Sequence, residues 1–351
     1  MAQHDGSFVG KRAPLHIGVI TPAWNAAAFV GAAVRSVLAQ THDDWSMVVV
    51  DDGSADDTAQ AASAFRDPRL RVIRQANAGV SAARNRGMAL LDADAYLFLD
   101  ADDRLSPFAI AALAATLKPC PAAVASFGGW CFDSGDAHAD GFSATRFRWF
   151  GGPMRPTPID MLGRLLTCNR FVNGGHLLIA KSAIRSVGGF RTDLRFGEDW
   201  EYWIRLALLG RFVPVREHRP LLLVRSRPEG AYRRMAADPR SFDACMGAIF
   251  TGKALGARVG PAALRHARQR AEAENAWIVG REMIRQGRVA DGRRWLAASV
   301  RAAPSAKRLT LVGASWVAPR LPTAWRGPFR PYAAGTESEG SDPIRAASPA
   351  S

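Results

Sequence analysis

The chain has 351 residues, 48% of them hydrophobic and 22% charged, a balance that excludes a wholly disordered polypeptide because there is ample apolar surface to bury. The length accommodates two domains, or one large α/β domain with an appendage. The formal net charge of +14 is uneven: residues 231–351 hold 20 Lys+Arg against 9 Asp+Glu, which places +11 of it in the last third. A basic region of this kind suits nucleic acid, an anionic membrane leaflet or an acidic partner, and it equally suits solvated helix faces in an Arg-rich sequence. No run reaches the roughly 18–20 apolar residues of a membrane span, and Met1–Arg12 has no apolar signal-peptide core, so a cytoplasmic location is expected. Cys120, Cys131, Cys168 and Cys245 are widely spaced with no CxxC pair, which predicts reduced core thiols.

Residues 1–14 read as a disordered leader. Leu15–Ile20 is a short apolar run ending in Thr21-Pro22, the pattern of a buried strand. Phe29, Val30, Ala33, Val34, Val37 and Leu38 recur at helical spacing. Trp45–Val50 is a second strand, closed by Asp51-Asp52-Gly53-Ser54. A helix over Asp56–Phe65, a strand at Leu70–Arg74, a helix over Ser81–Leu91 and a strand at Ala95–Leu99 follow, the last stopping at Asp100. Continuous apolar strands separated by helices predict a parallel sheet covered on both faces. Such sheets bind ligands at the carboxyl ends of their strands, where the acidic clusters fall. Beyond Pro119 the pattern loosens. Ala122–Gly128, Arg146–Phe150 and Leu177–Ala180 predict strands, Asp199–Leu209 a helix, and Phe212–Val215 and Leu221–Val224 short strands. Tyr232 to Ala318 reads as helical, with Ala273–Gln286 and Val289–Ala302 an antiparallel pair around Gln286-Gly287-Arg288. From Pro319 on, Pro, Gly and Ser predict an irregular or disordered end.

Four clusters carry candidate chemistry, and each alone has two readings. Asp51-Asp52-Gly53-Ser54 suits a base, ribose or metal, or is an Asp-Gly turn. Asp100-Ala101-Asp102-Asp103 offers hard oxygen ligands for Mg²⁺ or Mn²⁺. Its alternative is helix capping, which Ser106-Pro107 is expected to supply instead. Glu198-Asp199 begins a helix, where acids either complement the dipole or act as a general base. Asn77-Ala78-Gly79-Val80-Ser81-Ala82-Ala83-Arg84-Asn85 leads into a helix whose start suits an anion, or is an ordinary cap with Ser81.

Together, in this order, the clusters resemble the motifs of the family 2 glycosyltransferases, which have the GT-A fold. Thr21-Pro22-Ala23-Trp24-Asn25 resembles the first-strand motif, with Trp24 where Tyr is more usual. Asp51–Ser54 resembles the nucleotide-binding DDGS turn, Asn77–Asn85 the "N-x-G…AARN" loop, and Asp100–Asp103 the DxD metal motif. Gly197-Glu198-Asp199 resembles the "ED" helix, and Val187-Gly188-Gly189-Phe190 the stretch preceding it. The resemblance spans residues 15–225. It implies a mixed Rossmann-like sheet flanked by helices, with a C-terminal helical extension. It also implies inverting transfer from a nucleotide-diphosphate sugar, UDP-sugar foremost, to a glycan or lipid-linked acceptor in bacterial surface polysaccharide or lipopolysaccharide synthesis. Donor binding would fall to Thr21, Pro22, Trp24, Asn25, Asp51, Asp52, Gly53, Asn77, Gly79, Arg84, Asp100 and Asp102, with Thr21, Trp24, Asp52 and Arg84 toward the base and Asp102 near the ribose. Asp103, with Asp102, would bind Mg²⁺ or Mn²⁺. Asp199 would be the base, with Glu198, Trp200 and His176 in the acceptor region, although a core or surface position is the favoured reading of His176.

The expected division is a leader at 1–14, a donor-binding half at 15–118, an acceptor-binding half at 119–228, a basic helical extension at 229–318 and a tail at 319–351. Trp277, Trp295, Trp316 and Trp325 interleave with Arg in the last third, which suits peripheral contact with an anionic membrane or packing of the helices on the domain. No nucleic-acid partner is expected. A sugar-1-phosphate nucleotidyltransferase is disfavoured, because Thr21–Asn25 is not a Gly-rich basic loop. A receiver-type phosphoacceptor would carry the Asp pair after the first strand, not the second. A dinucleotide-binding domain would need GxGxxG after Leu15–Ile20. A non-catalytic nucleotide- or sugar-binding protein with a degenerate site remains the alternative.

Overall fold

The structure, a computed structural model, describes residues 14–133, 158–225 and 231–320. Residues 1–13 of the expected 1–14 leader, the expected strand at 146–150, Trp325 and residues 321–351 of the expected 319–351 tail lie outside these residues. The described residues through Arg225, with Arg240–Asn275, form one compact unit; those from 231 to Pro239, with Ala276 onward, form another. The units alternate along the chain, one break following Arg225, close to the expected 228/229 boundary, and Arg240–Asn275 of the expected helical extension belonging to the first unit.

In the first unit the chain runs β1 (Ile17–Ala23), α1 (Ala27–Leu38), β2 (Trp45–Asp51), α2 (Thr58–Ser63), β3 (Leu70–Arg74), α3 (Val80–Leu90), β4 (Ala95–Phe98), β5 (Arg104–Leu105) and α4 (Ala109–Leu117). It continues through β6 (Ala123–Phe127), β7 (Trp130–Asp133), α5 (Leu162–Leu165), β8 (Leu177–Ala180), α6 (Lys181–Val187), α7 (Glu198–Leu209), β9 (Arg211–Pro214) and β10 (Leu222–Arg225). Among the described residues the main sheet has the order β3-β2-β1-β4-β8-β6-β9, and a second sheet the order β5-β10-β7. β3, β2, β1 and β4 are mutually parallel. β8 runs antiparallel to both β4 and β6, so the sheet is mixed, not wholly parallel.

The burial explains the sequence pattern. β1 is buried at every position, as a central strand covered on both faces must be. α1 turns Val30, Ala33, Val34 and Val37 to the core, and α4 turns Ile110, Leu113 and Leu117. The register sets Ala23 beside Asp51 and Asp51 beside Arg74, so the carboxyl ends of β1 to β3 finish level. Ser106 does not cap α4: the helix begins at Ala109, and the Ser106 hydroxyl donates to the Pro220 carbonyl. Ser81 does not cap α3 either, since it lies inside the helix after Gly79.

Helices α8 (Ala231–Ala236), α9 (Asp243–Phe250), α10 (Lys253–Val259), α11 (Pro261–Arg285), α12 (Val289–Ala302) and α13 (Ala306–Val317) complete the described chain. Of these, α9 and α10 belong to the first unit. In the second unit α12 and the end of α11 meet closely at Gly280 and Gly292. Trp277, Ile284, Leu296 and Leu311 form its apolar centre.

Candidate active site

The first turn of the site is built on β1 and β2. Asp51 is buried, and its Oδ1 accepts from the Ser54 amide at 3.0 Å. Ser54 Oγ in turn accepts from Asn25 N, and Asn25 Oδ1 from Ala55 N, at 2.9 and 2.8 Å. Gly53 has φ 73°, and a Cβ there would lie 2.8 Å from Asn77 N. Glycine is required twice over, by conformation and by space. Asp52 holds the next loop: its Oδ1 accepts from Gln75 Nε2 at 2.7 Å and Ala78 N at 3.0 Å, and its Oδ2 from Gly79 N at 2.8 Å. Asn77 Nδ2 donates to the Asp52 carbonyl at 2.9 Å. The DDGS turn and the Asn77–Gly79 loop are thus one hydrogen-bonded piece. Thr21 is buried on β1 beside Pro22, with no hydrogen-bond partner for its hydroxyl among the described residues. Trp24 is exposed at the end of that strand.

The acidic group after β4 is tied to two other elements. Asp103 is buried; its Oδ1 accepts from Arg225 N at 2.9 Å and its Oδ2 from Asn173 Nδ2 at 2.5 Å. Burial, and then the charges of Asp100 and Asp102, push its carboxyl well above the usual carboxylate range. Hard oxygens crowded by like charge fit a Mg²⁺ or Mn²⁺ ion that fills its shell with phosphate and water. Among the described residues no group of three or more His, Cys, Asp or Glu is arranged to hold a metal by itself, so outside ligands would have to complete the shell.

Arg84 lies elsewhere than expected. Its buried guanidinium donates to Glu198 Oε1 at 2.9 Å and Asp100 Oδ1 at 3.1 Å, and it stacks 5.2 Å from the Phe190 ring. It is held between carboxylates of the β4 end and the α7 start, not turned toward a base. The next residue, Asn85, clasps the Phe190 backbone at both its amide and its carbonyl, at 2.7 and 2.8 Å. The Ala82–Asn85 stretch therefore anchors the loop that precedes α7.

At the start of α7, Asp199 is partly open to solvent. Its Oδ2 accepts from Asn169 Nδ2 at 2.9 Å and its Oδ1 from Trp200 N at 2.6 Å. Desolvation by the surrounding protein, then the Glu198 charge, raise its pKa to about 7, against the opposing pull of Arg84 and these hydrogen bonds. That is the range a general base needs. Gly197 caps the helix with φ 74°, and a Cβ there would stand 2.7 Å from Cys245 Sγ of α9.

Two expected acceptor residues are interior. Trp200 is buried and its indole donates to the Leu165 carbonyl at 2.7 Å. His176 is fully buried with Nδ1 2.7 Å from the Gly128 carbonyl, and burial lowers its pKa to about 4. The neutral ring must be the donor in that bond. Both are wall residues, because neither presents a face to solvent. Sequence reasoning does not find Asn169, Asn173 or the Arg225 amide, since their partners are 30 to 122 residues away. The repeated Asn in Asn169-Arg170-Phe171-Val172-Asn173 is their only local signal.

Residues 18–158 match the family model described as "Glycosyl transferase family 2". The succinoglycan biosynthesis protein ExoU of Rhizobium meliloti is 31% identical over 271 residues, 73% of this chain and 75% of that protein. The chain belongs to glycosyltransferase family 2. An uncharacterised glycosyltransferase of Nostoc sp. is 38% identical over 96 residues, and EpsJ of Bacillus subtilis, also an uncharacterised glycosyltransferase, 37% over 92 residues. Each match is 26% of this chain, and it spans only 30% and 27% of those relatives. Two solved structures share the family's GT-A fold with this chain. The mannosyltransferase PcManGT of Pyrobaculum calidifontis has a TM-score of 0.51 and 19% identity, over 87% of this chain and 81% of that one. TarS of S. aureus has a TM-score of 0.52 and 15% identity, over 90% of this chain and 54% of that one.

Proposed function

We propose that the chain is a metal-dependent inverting glycosyltransferase that moves a sugar from a nucleoside diphosphate, UDP foremost, to an acceptor hydroxyl on a glycan or lipid-linked glycan. The observation that carries this is the buried Arg84, which bridges Asp100 of the acidic turn and Glu198 beside Asp199. One side chain's reach thus separates the oxygen cluster suited to a diphosphate-bound cation from a carboxylate with a pKa of about 7.

Asp199 takes the proton of the acceptor hydroxyl as that oxygen bonds the anomeric carbon. The bond from that carbon to the donor phosphate breaks, and the nucleoside diphosphate leaves with the electron pair. One displacement from the face opposite the leaving group inverts the centre. Asp103 and Asp102 would hold the cation, which when bound neutralises charge on the leaving diphosphate. The Asp51–Gly53 turn, Asn25 and the Asn77–Gly79 loop form the floor for the nucleoside, with Trp24 free to stack on it. PcManGT, which shares the fold, is described with GDP-Man and Mn²⁺. ExoU is described as a succinoglycan biosynthesis protein, which supports a role in surface polysaccharide assembly.

The test is calorimetry with UDP, GDP, dTDP and CDP, with and without Mn²⁺, on the wild type and Asp103→Asn. Metal-dependent binding of one diphosphate, lost in the variant, is expected. Failure of the folded wild type to bind any of them overturns the reading in favour of a degenerate site.

We also infer that the second unit touches an anionic leaflet from the cytoplasmic side. Among the described residues no helix is long and apolar enough to cross a membrane, whereas α13 exposes Leu309, Trp316 and Val317. Arg293 lies 3.9 Å from the Trp316 ring centre. Apolar and aromatic groups beside Arg suit the headgroup boundary. Co-sedimentation with phosphatidylglycerol vesicles should fall in Leu309→Ser/Trp316→Ser; unchanged binding sinks the idea.

A further inference from the structure

Asn169 and Asn173 lie between α5 and β8, and each makes the same local turn. Asn169 Oδ1 accepts from Phe171 N at 3.1 Å, and Asn173 Oδ1 from Gly175 N at 2.8 Å. With the amide oxygen committed to the backbone two residues on, the amide nitrogen must face the other way. In both cases it meets a carboxylate of the site: Asp199 Oδ2 at 2.9 Å from Asn169, Asp103 Oδ2 at 2.5 Å from Asn173. We propose that residues 169–173 form a positioning strap that sets both carboxylates at once, Asn169 orienting Asp199 as the base and Asn173 orienting Asp103 as the cation ligand. What the carboxylates do rests on the glycosyltransferase reading; their tethering does not.

The strap is anchored between its two arms. Phe171 is buried, stacked on Phe212 with ring centres 5.7 Å apart and edge-on to Phe127 at 5.5 Å. Only asparagine serves at either arm. Aspartate would set a carboxylate against a carboxylate, and glutamine is one methylene too long for the turn. Serine keeps an oxygen for the turn but has no amide to aim.

Each oxygen of Asp199 takes one donor, from Asn169 and from the Trp200 amide. The charged groups around it are Glu198 on its own helix and Arg84 from α3. The Cys245 thiol faces it from α9, its own pKa raised to about 12 by burial and then by Asp199. The helices packed on α7 also carry Arg164 of α5, Lys181 and Arg185 of α6, Asp243 of α9, and Lys253 and Arg258 of α10, none of them buried. A neutral N–H donor stabilises the ionised carboxylate. Without Asn169, Asp199 would hold its proton to higher pH and turn more freely.

The experiment uses the full chain with Asn169→Ala, Asn169→Ser and Asn173→Ala. Losses of supporting contacts of this kind cost roughly 10–100-fold. Both Asn169 variants should lower kcat by about that factor, leave the donor KM and Mn²⁺-dependent diphosphate binding in place, and move the acidic limb of the kcat/KM profile to higher pH. Asn173→Ala should weaken Mn²⁺-dependent diphosphate binding and leave that limb where it is. In urea unfolding, Asn169→Ser should lose more stability at pH 8 than at pH 5, and the excess should vanish on an Asp199→Asn background. An unmoved acidic limb, or losses equal at both pH values and on both backgrounds, overturns the strap. A wild type that transfers no sugar but shows the urea coupling overturns the glycosyltransferase reading and leaves the tether standing.

Discussion

Arg84 and Glu198, 114 residues apart in sequence, meet at 2.9 Å in a buried ion pair. The pair joins the helix after β3 to the first turn of α7, and through Asp100 it reaches the acidic turn after β4. It sets the spacing between the two carboxylate groups of the site, and it has an energetic consequence of its own.

Removing Arg84 leaves two carboxylates facing each other in a poorly solvated place. Breaking a buried ion pair from one side costs about 3–5 kcal/mol. Arg84→Ala should lose stability on that scale in urea unfolding. Arg84→Lys keeps the charge but not the two-pronged geometry, and should recover only part. A loss below about 1 kcal/mol, the scale of an exposed pair, would show that the pair is solvated.

Gly197 offers a steric test at the base of the site. Its φ is 74°, and Cys245 Sγ lies 2.7 Å from the point a Cβ would occupy. Together these predict a loss of about 1–3 kcal/mol for Gly197→Ala. Cys245→Ala removes the sulfur but not the backbone strain. The double variant should therefore be more stable than the sum of the single losses implies. Strict additivity would mean that strain alone governs this position.

Asp199→Asn should lower kcat by about 10²–10⁴-fold, the range for a general base. Its stability effect has the opposite sign. The folded carboxyl holds its proton to about pH 7, whereas the unfolded one releases it near pH 3.9. Between those values the folded state binds the extra proton, so stability falls as pH rises through that window. Asp199→Asn lacks this cost and should be stabilised relative to wild type at pH 8 and not at pH 3. An equal Tm difference at the two pH values would remove the burial argument for the base.

His176 gives a second pH dependence, on the acidic side. Its ring protonates only near pH 4 in the folded state, against about 6.5 unfolded. Here the unfolded state binds the extra proton, so stability is lost as pH falls from about 6.5 through 4. His176→Gln should flatten urea midpoints across that range. A slope unchanged by the substitution would assign it to other groups.

The elements are legible because their signals are local. The Leu70–Arg74 and Leu177–Ala180 strands appear at their expected bounds, marked by short apolar stretches, and α7 begins within one residue of its expected start. The acidic clusters stand at the β2 and β4 ends for the same reason. The short strands β5 and β7 escape a reading of the sequence, since a two-residue strand and a Trp130–Asp133 run have no periodicity. The expected cap at Ser106 fails because a carbonyl from Pro220 claims its hydroxyl. Propensity cannot anticipate a partner 114 residues away.

By itself the sequence determined the alternation of strands and helices, and the placing of Asp51, Asp52, Asp100 and Asp103 at strand ends, because burial and turning are settled within a few neighbouring residues. Only the tertiary structure decided what each carboxylate does. Asp52 is engaged by the Asn77–Gly79 loop, Asp100 and Glu198 share Arg84, and Asp103 and Asp199 hang from one asparagine strap. A carboxylate's charge, orientation and proton affinity depend on which donors reach it, and those donors come from distant parts of the chain.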